Sequence, residues 1–349
     1  MVVRVFFLLS ILCFTIVRNL DNGLARKPPM GWMSWGYYMC GVNCKNDKQK
    51  CLDEKLILSV ADRFYEDGYQ EAGYEYIIID DCWSQKERDS LGRLVPDKER
   101  FPHGMKYIAD YIHKRGLKFG MYTNIADVTC MGYPGSREHF RTDAKMFAEW
   151  EVDYLKVDGC FVSEDYLNTA YIKLGMHLNA TGRPMVYSCS WPYYIEFIHN
   201  KKLIFGTSSL TDGQRRVHMA VYSMLAAPLL LSCDMNKITP YEKELLLNLD
   251  LLAIAQDPLG IMGRPYALQP LLTLWVKPHL PRKGDKYHSV SFALVNLDER
   301  EHSVSFAPGQ YGLNSTDYTV MDVFTKVFTR NVTLKDTLLI RIPPEGTYF

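Results

Sequence analysis

The sequence predicts an α/β protein: a (β/α)8-type TIM barrel short of about two β/α units, followed by a C-terminal antiparallel β-sandwich domain. Three observations carry that reading. From Met30 to about Leu252, short apolar runs alternate with amphipathic ones, the pattern of buried parallel strands and covering helices. After Pro258-Leu-Gly260 the runs keep strand period with no helical stretch between them. Polar residues also gather just behind the apolar runs, where the loops of a barrel converge on one face.

The first twenty residues read as an export leader. Arg4 supplies the charge, and Val5 to Val17 is an apolar run ending at Arg18. That run is shorter than the roughly twenty residues a bilayer span needs, so cleavage near Leu20 and no membrane insertion afterwards are expected. Residues 1–19 are thus the leader, 20–260 the barrel and 261–349 the β domain. Six strand candidates follow: Met30–Trp35, Tyr74–Ile79, Leu117–Tyr122, Asp153–Val157, Met185–Ser188 and Pro228–Ser232. Between the first two, Ile57, Val60, Ala61 and Phe64 repeat at helical spacing, and Gly116 and Gly182 stand where helix stops are wanted. No Gly-rich phosphate loop opens a helix, which argues against a doubly wound sheet. In the β domain the candidates are Thr273–Val276, Val290–Val295, Tyr318–Phe324 and Leu338–Ile342.

Composition narrows the function. With 40 Lys+Arg against 40 Asp+Glu, no overall field recruits nucleic acid. At 47% hydrophobic and 23% charged residues, the chain forms a core. Of nine cysteines, Cys13 leaves with the leader, and an exported chain makes disulfides the default for the rest. No CxxC pair or Cys/His cluster suggests a metal, so none is expected. Sequons at Asn179, Asn314 and Asn331 fit the same compartment.

The polar strand ends are Asp80-Asp81, Asn124, Asp158, Ser190-Trp191 and Asp234. Carboxylates accept pairs of hydroxyl hydrogen bonds, and indole faces pack on sugar C–H surfaces. With Trp32, Trp35, Trp83 and Trp191 nearby, the set suits a carbohydrate, although a lone Asp after a strand is as often a helix cap. Lys156 and Asp158, two apart in a strand, point to one face, where the ammonium keeps a nucleophilic carboxylate ionised.

On these residues the chain resembles the animal α-galactosidase and α-N-acetylgalactosaminidase group of retaining glycoside hydrolases. The resemblance rests on Met30-Gly-Trp32, Asp80-Asp-Cys-Trp83, Arg100-Phe-Pro-His-Gly104, Leu155-Lys-Val-Asp-Gly-Cys160, Tyr187-Ser-Cys-Ser-Trp-Pro192, Ala226-Ala-Pro-Leu229 and Gln256-Asp-Pro-Leu-Gly260. It implies Asp158 as the nucleophile that forms a glycosyl-enzyme. Asp80, Asp81 and Lys156 would hold the sugar hydroxyls, and Trp35 and Tyr122 would line the pocket. It implies the disulfides Cys40–Cys82, Cys44–Cys51 and Cys130–Cys160. It also implies a homodimer, lysosomal or secreted, acting on terminal α-galactoside or α-N-acetylgalactosaminide glycans without metal or organic cofactor. Ser190 matches the N-acetyl-specific pattern, whereas Tyr193 would refill the space that Ser190 opens, leaving a slight lean to the N-acetyl sugar.

One part of the family pattern is absent. Retaining hydrolysis takes a nucleophile and an acid/base about 5–5.5 Å apart. In the family the second Asp lies between the Ser-Trp-Pro strand end and the helix leading to Ala-Ala-Pro. Here that stretch is shorter by roughly fifty residues, close to two β/α units at about 30 residues each. Its loss would explain six strands instead of eight and leave Cys189 and Cys233 over, free to pair with each other. Three residues offer a substitute for the acid. Asp212 opens a helix and is better placed as its cap. Asp234 ends the last strand on the side of the site, although strand-end Asp residues are mostly structural. Glu196 lies in a short, ambiguous stretch. The expectation is a glycosidase with weak turnover, or alternatively a non-catalytic galactoside-binding protein or an unproductive splice variant.

Overall fold

A computed structural model describes residues 22–191, 209–283, 286–311, 313 and 318–349. Its first part is a six-stranded parallel sheet: β1 (Met30–Met33), β2 (Tyr76–Ile78), β3 (Lys118–Asn124), β4 (Tyr154–Asp158), β5 (Val186–Cys189) and β6 (Leu229–Leu231). The strand order is β5-β4-β3-β2-β1-β6. β6 therefore pairs with β1, Met30 opposite Leu229 and Trp32 opposite Leu231, while β5 and β6 end the sheet on its two sides.

The helices form where the sequence supplies a cap and an apolar stripe. In α1 (Glu54–Glu66), Asp53 accepts from the backbone N–H of Leu56, and Ile57, Val60, Ala61 and Phe64 are buried. The sheet's outer face carries α2 (Gly104–His113), α3 (Phe140–Glu149), α4 (Glu164–Asn179), α5 (Asp212–Leu225), α6 (Pro240–Leu246) and α7 (Leu249–Ala255). Capping boxes open α5 (Thr211 with Gln214) and α6 (Thr239 with Glu242). Gly116 and Gly182, at φ +71° and +76°, stand past the ends of α2 and α4.

Strand alternation divides the burial. Ile77, Ile79, Leu155 and Val157 pack into the main core with the helices. Tyr76, Ile78, Tyr154 and Val186 form a separate small cluster, with Met33 and Leu230 only partly covered beside it.

Beyond Arg264 the chain is antiparallel. The sheet β14-β9-β8-β7 joins β7 (Arg264–Gln269), β8 (Leu272–Lys283), β9 (Lys286–Asn296) and β14 (Thr347–Tyr348). Two further pairs are β10 (His302–Phe306) with β13 (Leu338–Ile342), and β11 (Tyr318–Met321) with β12 (Phe328–Val332). The sequence predicts four of these eight strands. The four it misses lack an apolar run: β7 is exposed throughout and β14 has two residues. Ala293, Val295, Val323 and Phe349 belong to the main core, so the β region and the parallel sheet share apolar packing.

Candidate active site

The polar cluster at the C-terminal strand ends is built around β2, β3 and β4. The backbone of Asp80 donates to Ser34 Oγ at 2.9 Å, fixing the turn after β2. Asp80 Oδ1 accepts from the N–H of Asp81 (2.8 Å), and Asp80 Oδ2 accepts from Lys156 Nζ (2.7 Å). Asp81 takes the N–H of Cys82 on Oδ1 (2.6 Å) and that of Met131 on Oδ2 (3.0 Å). Both carboxyl residues are 1% exposed. Burial raises the Asp81 carboxyl, opposed by bonds from Thr129, Cys82 and Met131. Burial works against the Lys156 ammonium, but Asp80 and Asp158 outweigh it and hold the amine above its ordinary range. Burial raises the Asp80 carboxyl, and the charge and hydrogen bond of Lys156 with the N–H of Asp81 oppose it, so the 2.7 Å contact is what keeps the two as an ion pair.

Asp158 ends β4 on the same face. The Tyr122 ring lies 5.1 Å from Lys156 Nζ, and the Trp35 ring lies 5.9 Å from it. Burial, then the charges of Asp158, Asp81 and Asp80, hold the Tyr122 hydroxyl far above the usual phenol range. It therefore stays protonated and donates to Asp158. Cys130 Sγ lies 3.5 Å from Asp158 Oδ2 and 3.3 Å from the Tyr122 hydroxyl. The disulfide of Cys130 with Cys160 thus packs directly against the carboxylate.

Two more disulfides, Cys40–Cys82 and Cys44–Cys51, brace the loop after β1. Cys82 and Phe161 adopt positive φ (+75° and +66°), costly for residues with a Cβ by about 1–3 kcal/mol each. Each position adjoins or forms a disulfide at a strand end. Arg100, 6% exposed, ties down the first by donating to Cys82 O (2.6 Å) and Leu52 O (3.0 Å).

Other residues singled out in the sequence sit elsewhere. Trp32 is fully buried and donates to Cys233 O, and Trp83 donates to Tyr122 O and packs edge-on against Trp150. These two indoles are core, because their N–H groups find carbonyl partners inside the sheet. Trp191 stacks on Tyr171 with centroids 5.8 Å apart. Asn124 is buried and donates to Val128 O and Cys160 O, so it braces loops. Ser190 donates its N–H to Val157 O, which sets it beside the end of β4. Tyr193, Glu196 and Asn314 lie outside the described residues. Asn179 is exposed at the end of α4, and Asn331 lies on β12. Asp234 caps a short turn through Asn236 N–H, and Asp212 pairs with Arg215 in the first turn of α5. Cys189 and Cys233 are both free thiols, not a pair.

Sequence reading missed Ser34, Thr129, Met131 and the work of Arg100. Arg100 alone left a signal, inside the motif Arg100-Phe-Pro-His-Gly104. The others act through a hydroxyl or a backbone N–H, which any sequence supplies everywhere.

Buried carboxylates paired with an amine, beside a third carboxylate and a tyrosine, at the loop ends of parallel strands are a group set suited to holding sugar hydroxyls, as in the glycosidase class. The profile of the Melibiase_2 family, described as "Alpha galactosidase A", matches residues 27–203 and 196–257. An α-N-acetylgalactosaminidase of Gallus gallus is 42% identical over 387 residues, spanning 94% of this chain and 93% of its own. Alpha-galactosidase A of Homo sapiens is 36% identical, spanning 75% of this chain and 73% of its own. The crystal structure of α-galactosidase I from Mortierella vinacea superposes with a TM-score of 0.80 at 25% identity, over 94% of this chain and 97% of that one. The chain belongs to the melibiase family of glycosidases. No helix among the described residues is long and apolar enough to cross a membrane.

Proposed function

We propose that the protein is a retaining glycosidase site for terminal α-linked galactose or N-acetylgalactosamine on glycolipids or glycoproteins, with Asp158 as nucleophile. Asp80, Asp81 and Lys156 bind the hydroxyls of the terminal sugar, with Trp35, Tyr122 and Ser190 around the ring. The observation that carries this is the cluster itself: Asp158 shares one strand end with Lys156, which is bonded to Asp80 at 2.7 Å. A carboxylate so placed attacks the anomeric carbon, forming the O–C bond as the bond to the leaving oxygen breaks. The lean toward the N-acetyl sugar rests on Ser190, whose small side chain leaves room for an acetamido group.

The same reading places a missing segment of roughly fifty residues between β5 and β6, taking the second carboxyl with it. Three observations support it. The described sheet has six strands, and β5 and β6 are its edges. The Gallus gallus alignment runs over 387 residues while engaging 94% of 349, about 328, so roughly sixty aligned positions have no counterpart here. The family profile matches in two pieces that meet at residues 196–203, the same place in the chain. Without the acid/base, leaving-group protonation loses a catalyst worth about 10²–10⁴-fold. The chain then forms a glycosyl-enzyme only from donors whose leaving group needs no proton. Two domains divided near residue 260, a homodimer and a lysosomal or secreted destination complete the proposal.

Rates on a series of aryl α-galactosides and α-N-acetylgalactosaminides test it. The expected result is turnover of dinitrophenyl glycosides only, accelerated by azide with a glycosyl azide as product, and abolished in Asp158→Asn. Equal rates on methyl and dinitrophenyl glycosides would show an acid/base at work and overturn the missing-segment reading. No turnover of any donor, with galactose still raising the melting temperature, would favour the non-catalytic binder.

A further inference from the structure

One motif takes no part in the glycosidase site. Asp257, in Gln256-Asp-Pro-Leu-Gly260, follows α7 and is 7% exposed. Its Oδ1 accepts from the N–H of Leu259 (3.0 Å) and its Oδ2 from that of Leu280 (3.2 Å), so the carboxylate is fixed from both sides. His279 of β8 faces it, with Nδ1 3.6 Å from Asp257 Oδ2. On the other side of the ring, His279 Nε2 lies 2.8 Å from Ser291 Oγ of β9. In the β8–β9 ladder Lys277 opposes Ser291 and His279 opposes Ser289, so these four side chains share one face.

The chemistry of the trio is directional. Burial, with Lys277 nearby, pushes the His279 imidazole down to about 4 against the pull of Asp257, so the ring is neutral. A neutral ring that gives its Nδ1 proton toward a carboxylate keeps the Nε2 lone pair for a hydroxyl. Lys277 itself is occupied, donating to Ser223 O (2.9 Å) and Ile254 O (2.6 Å). The trio also has access. Asp257, His279 and Ser291 line one cavity of about 320 Å³ between α7 and the β region. A second cavity of about 160 Å³ shares Ser289, Val290 and Ser291 with it and continues among Phe292, Phe306 and Ile340.

We propose that Asp257, His279 and Ser291 form a second reactive centre, an acyl-transfer site for esters with small or medium apolar acyl groups. Ser291 Oγ adds to the ester carbonyl as its proton passes to His279 Nε2. The C–O bond to the alcohol breaks, and the leaving oxygen takes that proton from the imidazolium. Water then repeats the sequence on the acyl-serine, releasing the acid and restoring the hydroxyl. Asp257, facing the ring at 3.6 Å, balances its transient charge. The apolar cavity receives the acyl chain.

The test uses the full chain with an alkyl fluorophosphonate and, separately, p-nitrophenyl butyrate. The fluorophosphonate should form one O–P bond with loss of fluoride, and peptide mass mapping should place it on Ser291. Ser291→Ala should lose the label and lower butyrate hydrolysis by about 10²–10⁴-fold, at an unchanged melting temperature. Ser303→Ala, at an exposed serine of β10 that lines neither cavity, should keep both. Absence of label on the unmodified chain, or label at another residue, overturns the proposal without reference to any variant. Because neither probe is a glycoside, the result is independent of the glycosidase reading.

Discussion

The two sides of the parallel sheet are built to different standards. Around β2, β3 and β4 every strand has two neighbours, three disulfides brace the loops, and each buried carboxyl has a named partner. Among the described residues β5 and β6 are the edges of the sheet, Cys189 and Cys233 are free, and Tyr187, Ser188 and Cys189 are only half-buried. The difference teaches where the sequence spends its constraints. The side that holds the Asp80–Lys156 pair out of water is over-determined, whereas among the described residues β5 and β6 each pair with one strand only.

The comparison breaks most clearly at the Asp80–Lys156 pair. Lys156→Met leaves a carboxylate of 1% exposure without its amine, and should cost about 3–5 kcal/mol in urea unfolding while abolishing sugar binding. An unchanged midpoint would show that the braced side is not where stability resides. Next comes the Cys130–Cys160 bridge, which closes a separation of 30 residues. The double variant C130A/C160A should lose about 2–4 kcal/mol, and removal of Cys189 far less. Should the two prove equal, the contrast between the sides fails.

The open side has its own signature in acid. Burial lowers His218 of α5 to about 4, so the unfolded chain takes that proton first as pH falls. Its contribution is full above about pH 6.5 and is lost on the way to pH 4, roughly 2 kcal/mol allowing for partial exposure. His279, also lowered to about 4, acts in the same window and with the same sign. His218→Leu should therefore flatten the fall of the melting temperature between those pH values, and an unaltered slope would exclude His218. The smallest effects concern caps and thiols. Thr211→Ala removes half of a capping box and should cost about 1 kcal/mol by thermal melting. Burial pushes the Cys189 thiol up to about 11 and Cys233 to about 12. Alkylation at pH 8 should accordingly be slow at both, and slower at Cys233, which is fully buried.

Much of the braced side was legible in the sequence because each strand there advertises itself twice. Tyr76 to Ile79 is an apolar run too short for a helix, and Tyr154 to Val157 is one broken only by Lys156; each is followed by Asp. On the β5–β6 side the sequence offered only a count, six apolar runs where a closed barrel has eight. Chemistry encoded by backbone groups left no trace. Nothing in the letters says that Met131 gives its N–H to Asp81, or that Ser34 holds the turn at Asp80. The tryptophans misled in the opposite direction. An indole suits a sugar face, but Trp32 and Trp83 spend their N–H groups on carbonyls of the interior. The β region concealed half its strands because β7, β10, β12 and β14 carry no apolar run, and two of them, β10 and β14, also pair with partners far along the chain.

The pairing of β1 with β6 also sets an order of events. Trp32 gives its indole proton to Cys233, 201 residues later. On a ribosome, β1 to β5 emerge and can associate in sequence while the outer flank of β1 has no companion. That flank waits until the chain has lengthened past Leu231, some tens of seconds at about 5–20 residues per second. Met30 and Trp32, both buried in the finished protein, face solvent or a chaperone for that interval. The most vulnerable moment of this fold thus belongs to its first strand, and it ends only when its sixth is made.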